Sequence, residues 1–292
     1  MPELPELEVV KEVLQRRVVG QTIVSVQAIG PGSAIVVRDL THLGFAEMLT
    51  GAAITAVARR GKFLIFNVNL ARGSAQTGDL RAQPSQGSLH LALNPKLTGR
   101  LQLAAPTDKR LPKTQLVFAL SNGAELRYVD QRTMGQLYLT SDLAQVPEYV
   151  GLGPEPFDVS LDEFRERLKP YRGEIKGVLV RGEFIAGIGN AYADEILWAA
   201  RLHPYRKRTQ LTAEEIDRLY AVIQSTLREA TDKVRVEMGE DIHLEPRGFM
   251  AVHLKTGEPC PRCGSPISLV GANQRITNFC RTCQPGGLIK GM

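Results

Sequence analysis

Cysteine is scarce in this chain. Only four occur in 292 residues, all between positions 260 and 283. That clustering argues against a general disulfide framework and for one local metal site in a reducing compartment. No apolar run is long enough to span a bilayer, which excludes a membrane helix. The N-terminus is acidic and lacks an apolar signal core, so export is not expected and a cytoplasmic location is. No unit repeats along the chain. There is also no strong excess of charge. The net value of +5 permits a polyanionic partner without demanding one. What is present suits an ordinary globular protein: 43% hydrophobic residues and a length sufficient for two or three domains.

Residues 5–19 have the apolar spacing of an amphipathic helix, with Val10, Val13, Leu14 and Val18 on one face and Gly20 at its end. Short β-like runs follow at Thr22–Ile29, Ala34–Val37, Ile54–Ala58, Phe63–Leu70, Ser88–Leu93, Arg100–Leu103, Leu116–Leu120, Glu125–Val129 and Leu137–Thr140. Turn signals separate them, and so many short strands point to a β-sandwich or barrel. Residues 71–87 are polar and glycine-rich, as expected of an inserted surface loop. After the linker-like Gly151-Leu152-Gly153-Pro154 the pattern becomes helical, with helices expected at 161–169, 174–180, 190–200 and 213–232. Ser160 with Glu163, and Thr212 with Glu215, have capping-box spacing. Residues 239–259 read as irregular. The expected division is 2–150, 151–238 and 239–292.

The first residues are Met1-Pro2-Glu3-Leu4-Pro5-Glu6. Loss of Met1 would leave a secondary amine with carboxylates close behind. Such an amine can attack a sugar C1′ and form an iminium, which is covalent catalysis. An α-amino group has a pKa of about 7.7–8.0, so part of it is neutral at neutral pH. The positive end of the following helix disfavours its charged form further. A plain helix start also accommodates both prolines.

Cys260, Cys263, Cys280 and Cys283 have the spacing C-x2-C-x16-C-x2-C, within the range of four-cysteine zinc sites. Four thiolates close the coordination sphere, so one structural zinc is expected. Ile267–Val270 and Ile276–Phe279 can form a ribbon turned at Gly271-Ala272-Asn273-Gln274. Arg275 then sits near its tip, where a guanidinium can grip phosphate or simply be solvated. In Gly187-Ile188-Gly189-Asn190 the third glycine of a dinucleotide fingerprint is missing. A tight turn opening a helix fits better, its free amides and Asn190 directed at an anion. Asn190 as an ordinary helix cap is the alternative.

Three separated motifs occur in order: Pro-Glu-Leu-Pro-Glu, Gly-Ile-Gly-Asn-x-Tyr-Ala-Asp-Glu-Ile-Leu, and the four-cysteine finger. With them the chain resembles the formamidopyrimidine-DNA glycosylase / endonuclease VIII family, nearly end to end, as a divergent bacterial-type member. The resemblance implies an α+β protein: an N-terminal β-sandwich, a helix–two-turn–helix domain and a C-terminal zinc finger. It implies a partner, double-stranded DNA with damaged bases or abasic sites, and a monomer associated with the nucleoid. Pro2 would be the nucleophile and Glu3 the acid that protonates the sugar ring oxygen. Glu6 would support the amine, and Lys62 would reach toward DNA. Asn190 and Arg275 would grip phosphates. Base excision followed by β,δ-elimination is the implied reaction.

Departures from the family pattern are local. Leu97, in Asn94-Pro95-Lys96-Leu97-Thr98-Gly99, stands where a gap-filling methionine is usual, and His90-Leu91 offers a competing register. Asp130-Gln131-Arg132-Thr133-Met134-Gly135 keeps Arg132 and has Met134 in place of an aromatic. Residues 238–250 lack the usual glycine/serine-rich segment. Oxidised purines are the favoured substrates. Oxidised pyrimidines, or a non-catalytic damaged-DNA-binding protein of the same fold, are the alternatives.

Overall fold

The computed structural model describes residues 1–70, 89–271 and 276–286. The loop expected at 71–87, most of the turn at 271–274, and Arg275 lie outside them. The chain forms two compact units. The first comprises Met1–Pro2, Glu6–Val150 and Val234–Glu245, and the second comprises Glu3–Pro5, Gly151–Lys233 and Pro246–Met292.

Helix α1 spans Leu4–Arg17. Leu7, Val10, Val13 and Leu14 are buried at the spacing the sequence shows, and two arginines occupy the last turn, where cations suit the helix dipole. Strand β1 is Ile23–Ala28. The expected strand at Ala34–Val37 is corrected. Ser33–Val36 forms a helical turn, α2, closed by the Ile35 and Val36 amides on the Gly32 carbonyl. Only Val37–Asp39, strand β2, pairs in a sheet. The β-branched run carried a strand signal, but Ser33 Oγ donates to the Gly30 carbonyl at 2.6 Å and folds the segment locally. A five-residue helix, α3 (Phe45–Leu49), was not legible at all.

Seven strands follow: β3 (Ala53–Arg60), β4 (Phe63–Asn69), β5 (Leu89–Asn94), β6 (Gly99–Ala104), β7 (Thr114–Leu120), β8 (Glu125–Asp130) and β9 (Gln136–Thr140). They build a four-stranded sheet in the order β1-β7-β8-β6 and a five-stranded sheet in the order β2-β9-β5-β4-β3. Every pairing is antiparallel except β2 with β9. These are the two layers of the sandwich.

The second unit holds α4 (Leu161–Leu168), α5 (Ile175–Leu179), α6 (Asn190–Ala199) and most of α7 (Ala213–Met238). The Ser160 hydroxyl accepts the Glu163 amide. At α7 the capping box is complete, with Glu215 N–H on Thr212 Oγ1 and Thr212 N–H on Glu215 Oε2. Helix α7 runs six residues past its expected end at 232. The polar run there looks like a terminus, yet Val234 and Met238 continue the buried stripe of Leu219, Ile223 and Leu227. The core gathers Phe164, Leu179, Phe184, Tyr192 and Leu227, and includes Leu4. A ribbon of β10 (Ser268–Val270) and β11 (Thr277–Phe279) carries the last cysteines.

Candidate active site and metal centre

Pro2 is buried, and so is Glu3, at 1% exposure. Within the second unit the Glu3 carboxylate accepts the backbone amides of Gly189 (2.6 Å), Ala191 (3.0 Å) and Tyr192 (3.3 Å). A buried carboxylate is costly unless it is hydrogen-bonded, and charge-assisted bonds from a helix start are among the stronger ones. The anion cradle expected at this turn therefore exists, and its occupant is a side chain of the protein itself. Gly187 permits the arrangement. Its φ of +89° favours glycine, its carbonyl accepts the Leu4 amide at 3.0 Å, and a Cβ there would stand 2.9 Å from Leu4.

In the first unit Glu6 is buried in the first turn of α1. Arg59 on β3 ties this helix to the turn that carries Lys62. Its Nε donates to Glu8 Oε2 at 2.6 Å, and its Nη1 donates to the Gly61 carbonyl at 3.1 Å. Lys62 itself is half-buried between β3 and β4. Lys11 also bonds Glu8. Burial pushes the Glu8 carboxyl up, but the two cations outweigh it and hold it below the usual carboxylate range.

Leu97, Arg132 and Met134 lie on two loops that one carboxylate joins. Asp130 is fully buried. Its Oδ1 accepts the Thr98 hydroxyl and the Arg132 amide, and its Oδ2 accepts the Gly135 amide at 2.8 Å and the Tyr128 hydroxyl at 3.1 Å. The Thr98 hydroxyl in turn accepts the Arg132 amide at 3.0 Å. Gly135 is obligatory there, since a Cβ would fall 1.9 Å from the Tyr128 hydroxyl. Leu97 is half-buried, whereas Arg132 and Met134 are exposed. An apolar Met134 held out on a fixed loop can enter a base stack.

Asn190 opens α6, with Gly189 as the cap, and its Nδ2 donates to the Ile276 carbonyl at 2.8 Å. Lys176 on α5 donates to the same carbonyl at 3.0 Å and to Thr277 Oγ1 at 2.9 Å. Lys176 also pairs with buried Asp194 at 2.6 Å. Burial holds the Lys176 ammonium below the usual lysine range against the pull of Asp194. Asp194 further bonds His253 Nδ1 and the Asn278 amide, while Glu195 accepts the amides of Ala251, Val252 and His253. Burial raises the Glu195 carboxyl, and those three amides oppose the rise. Sequence reasoning gave these residues no individual role. The available signal was a pair of consecutive acids inside an otherwise apolar helix.

The four cysteine Sγ atoms all lie within 4.8 Å of one another. Cys263 and Cys280 are 3.4 Å apart, and Cys260 and Cys283 are 3.9 Å apart. Tetrahedral zinc–sulfur bonds of about 2.3 Å require sulfur separations of about 3.8 Å, so the donor set fits. Trp198 Nε1 donates to Cys260 Sγ at 3.4 Å and orients that ligand. With all four positions filled by protein, zinc here braces the finger.

The sequence model of the formamidopyrimidine-DNA glycosylase N-terminal domain matches residues 1–137. That of the formamidopyrimidine-DNA glycosylase H2TH domain matches 152–240, and a zinc finger found in FPG and IleRS matches 257–286. A formamidopyrimidine-DNA glycosylase of Symbiobacterium thermophilum is 35% identical over 98% of this chain and 90% of its own length. Among solved structures, MutM in complex with DNA containing carbocyclic 8-oxo-G superposes with a TM-score of 0.78 at 32% identity, covering 98% of this chain and 100% of that one. The Lactococcus lactis Fpg in complex with DNA containing an abasic site gives 0.78 at 30%, covering 97% and 100%. The chain belongs to the formamidopyrimidine-DNA glycosylase family, the DNA glycosylases of base-excision repair. It carries that family's structural zinc site, and no helix among the described residues is long and apolar enough to cross a membrane.

Proposed function

We propose that the protein excises oxidised purines, formamidopyrimidines and 8-oxoguanine among them, from double-stranded DNA. It then cleaves the abasic site by β,δ-elimination through an iminium on Pro2. The observation that carries this reading is the Glu3 carboxylate, held by three amides directly after Pro2. A binding protein has no use for a buried acid fixed beside an N-terminal secondary amine. The solved relatives in complex with 8-oxo-G and abasic-site DNA support the substrate class.

In this mechanism the neutral Pro2 nitrogen forms a bond to C1′ as the base departs with the electron pair of the glycosidic bond. Glu3, once it has taken up a proton from water, donates it to the ring oxygen, the sugar opens, and the iminium becomes the electron sink for successive eliminations. Extruding the nucleotide costs a few kcal/mol. Met134 and Leu97 would fill the vacated stack, with Arg132 beside them, while Asn190 and Arg275 would hold the phosphates. Glu6 would support the amine and Lys62 would approach the DNA. Borohydride trapping on an abasic duplex, followed by peptide mapping, should place one adduct on Pro2 of a protein lacking Met1. An adduct on an internal lysine, or none, overturns the lyase reading. A lesion panel in which oxidised pyrimidines are excised faster overturns the purine preference.

A further inference from the structure

Residues 238–250 depart from the family pattern, and the structure gives one of them a place at the chain terminus. The Met1 ammonium donates to Glu245 Oε1 at 2.9 Å. The other carboxylate oxygen of Glu245 pairs with Arg100 Nη2 on β6, and Arg100 Nη1 holds the Gly99 carbonyl at 2.8 Å. All of these residues belong to the first unit. The Glu245 and Arg100 side chains are only 16% and 19% exposed, so solvent screens the pair weakly. Successive backbone nitrogens lie roughly 3–3.6 Å apart. Loss of Met1 thus exposes the Pro2 nitrogen within one residue of a carboxylate already committed to an amine.

We infer that Glu245, held by Arg100, is the group that anchors the Pro2 amine and takes its proton. This inference rests on Pro2 being the nucleophile. The amine attacks C1′ in its neutral form, and the base leaves with the bonding pair. The proton on the resulting ammonium nitrogen then passes to Glu245, which becomes a carboxylic acid and later releases it to water. Arg100 sets how strongly Glu245 attracts that proton. Along the chain the next acid of the same unit is Glu6, buried in the first turn of α1. Arg100 also acts on the Tyr128 hydroxyl of neighbouring β8.

The signs are opposite for the two partners. A carboxylate beside an ammonium favours the charged amine, so removing it lowers the amine pKa. Removing Arg100 frees the carboxylate and raises that pKa. The test is the pH profile of single-turnover borohydride trapping for wild type, Glu245→Gln, Glu245→Ala and Arg100→Met, with melting temperatures to confirm folding. The acidic limb should move down by roughly 0.5–1 pH unit in the Glu245 variants and up in Arg100→Met. Limbs that superimpose on wild type, or that all move the same way, overturn the inference while leaving the Pro2 adduct standing. A wild-type protein with no adduct on Pro2 overturns both readings, and is recognised by peptide mapping before any variant is compared.

Discussion

At the scale of single residues, the most demanding position is Glu3. Its two oxygens serve three amide donors in a site closed to water. Glutamine offers one acceptor oxygen and turns an NH2 toward backbone N–H groups. Glu3→Gln should therefore lose base excision while retaining duplex affinity, and should cost about 1–3 kcal/mol of stability from the donors left unpaired. Single-turnover excision, a binding titration and urea unfolding read the three effects separately. Normal excision by this variant removes Glu3 from the chemistry. Such a residue was legible only in part. The position of Glu3 beside Pro2 was plain, and so was an anion cradle at Gly187–Asn190, but nothing local says that one fills the other from more than 180 positions away. Asp130, Arg59 and Glu245 were invisible for the same reason. Each looks like an ordinary charged residue, and its meaning lies in partners that only the fold supplies.

At the scale of elements, the strands were largely legible because alternation and turn residues mark them well, and the cysteine spacing announced the finger. The failures were the short helix α3, which carried no signal, and the helical turn at Ser33–Val36 and the end of α7, where a local hydroxyl in one case and a buried stripe in the other overrode the composition. The finger and the helix entrance act together. Asn190 and Lys176 both hold the Ile276 carbonyl, next in sequence to Arg275. Asn190 is neutral and Arg275 brings a full charge. Arg275→Ala should lower the slope of log affinity against log salt by about one, whereas Asn190→Ala should weaken binding with little change of slope. Cys280→Ser should lose the zinc equivalent and, with it, most of the contribution of Arg275. Salt titrations on damaged and undamaged duplexes, with metal analysis, check these outcomes. An unchanged slope and rate in Arg275→Ala would make that residue ordinary surface.

At the scale of the whole molecule, α1 is bound along its length by ion pairs of the first unit. Glu8 meets Lys11 and Arg59, Glu12 meets Arg235, and Arg16 and Arg17 meet Glu240. The Glu8 carboxyl is held below its ordinary value of 4.5, and so is that of Glu240, chiefly through its bond to Arg16. A lowered native pKa means that stabilisation is fully present above the unfolded value. It is lost as the pH falls below about 4.5 and through the native value. Glu8→Gln should therefore be less stable than wild type at pH 7, and the gap should close as the pH drops below 4. Urea midpoints across that range decide the matter. A gap that stays constant would show that the pairing contributes no linkage.

The threading of the chain has a consequence for anyone who would treat this protein as a set of interchangeable parts. Residues 3–5 pack with the helical unit, and residues 234–245 return to the sandwich unit. A gene cut at position 150 therefore yields neither unit whole. The amino-terminal fragment would lack Arg235, Glu240 and Glu245, and the carboxy-terminal fragment would lack Leu4 from its core and Glu3 from its cradle. Recombination between relatives at that apparent seam would separate residues that must match. Functional chimeras should arise only when residues 3–5 travel with the helical unit's sequence and residues 1–2 and 234–245 with the sandwich's.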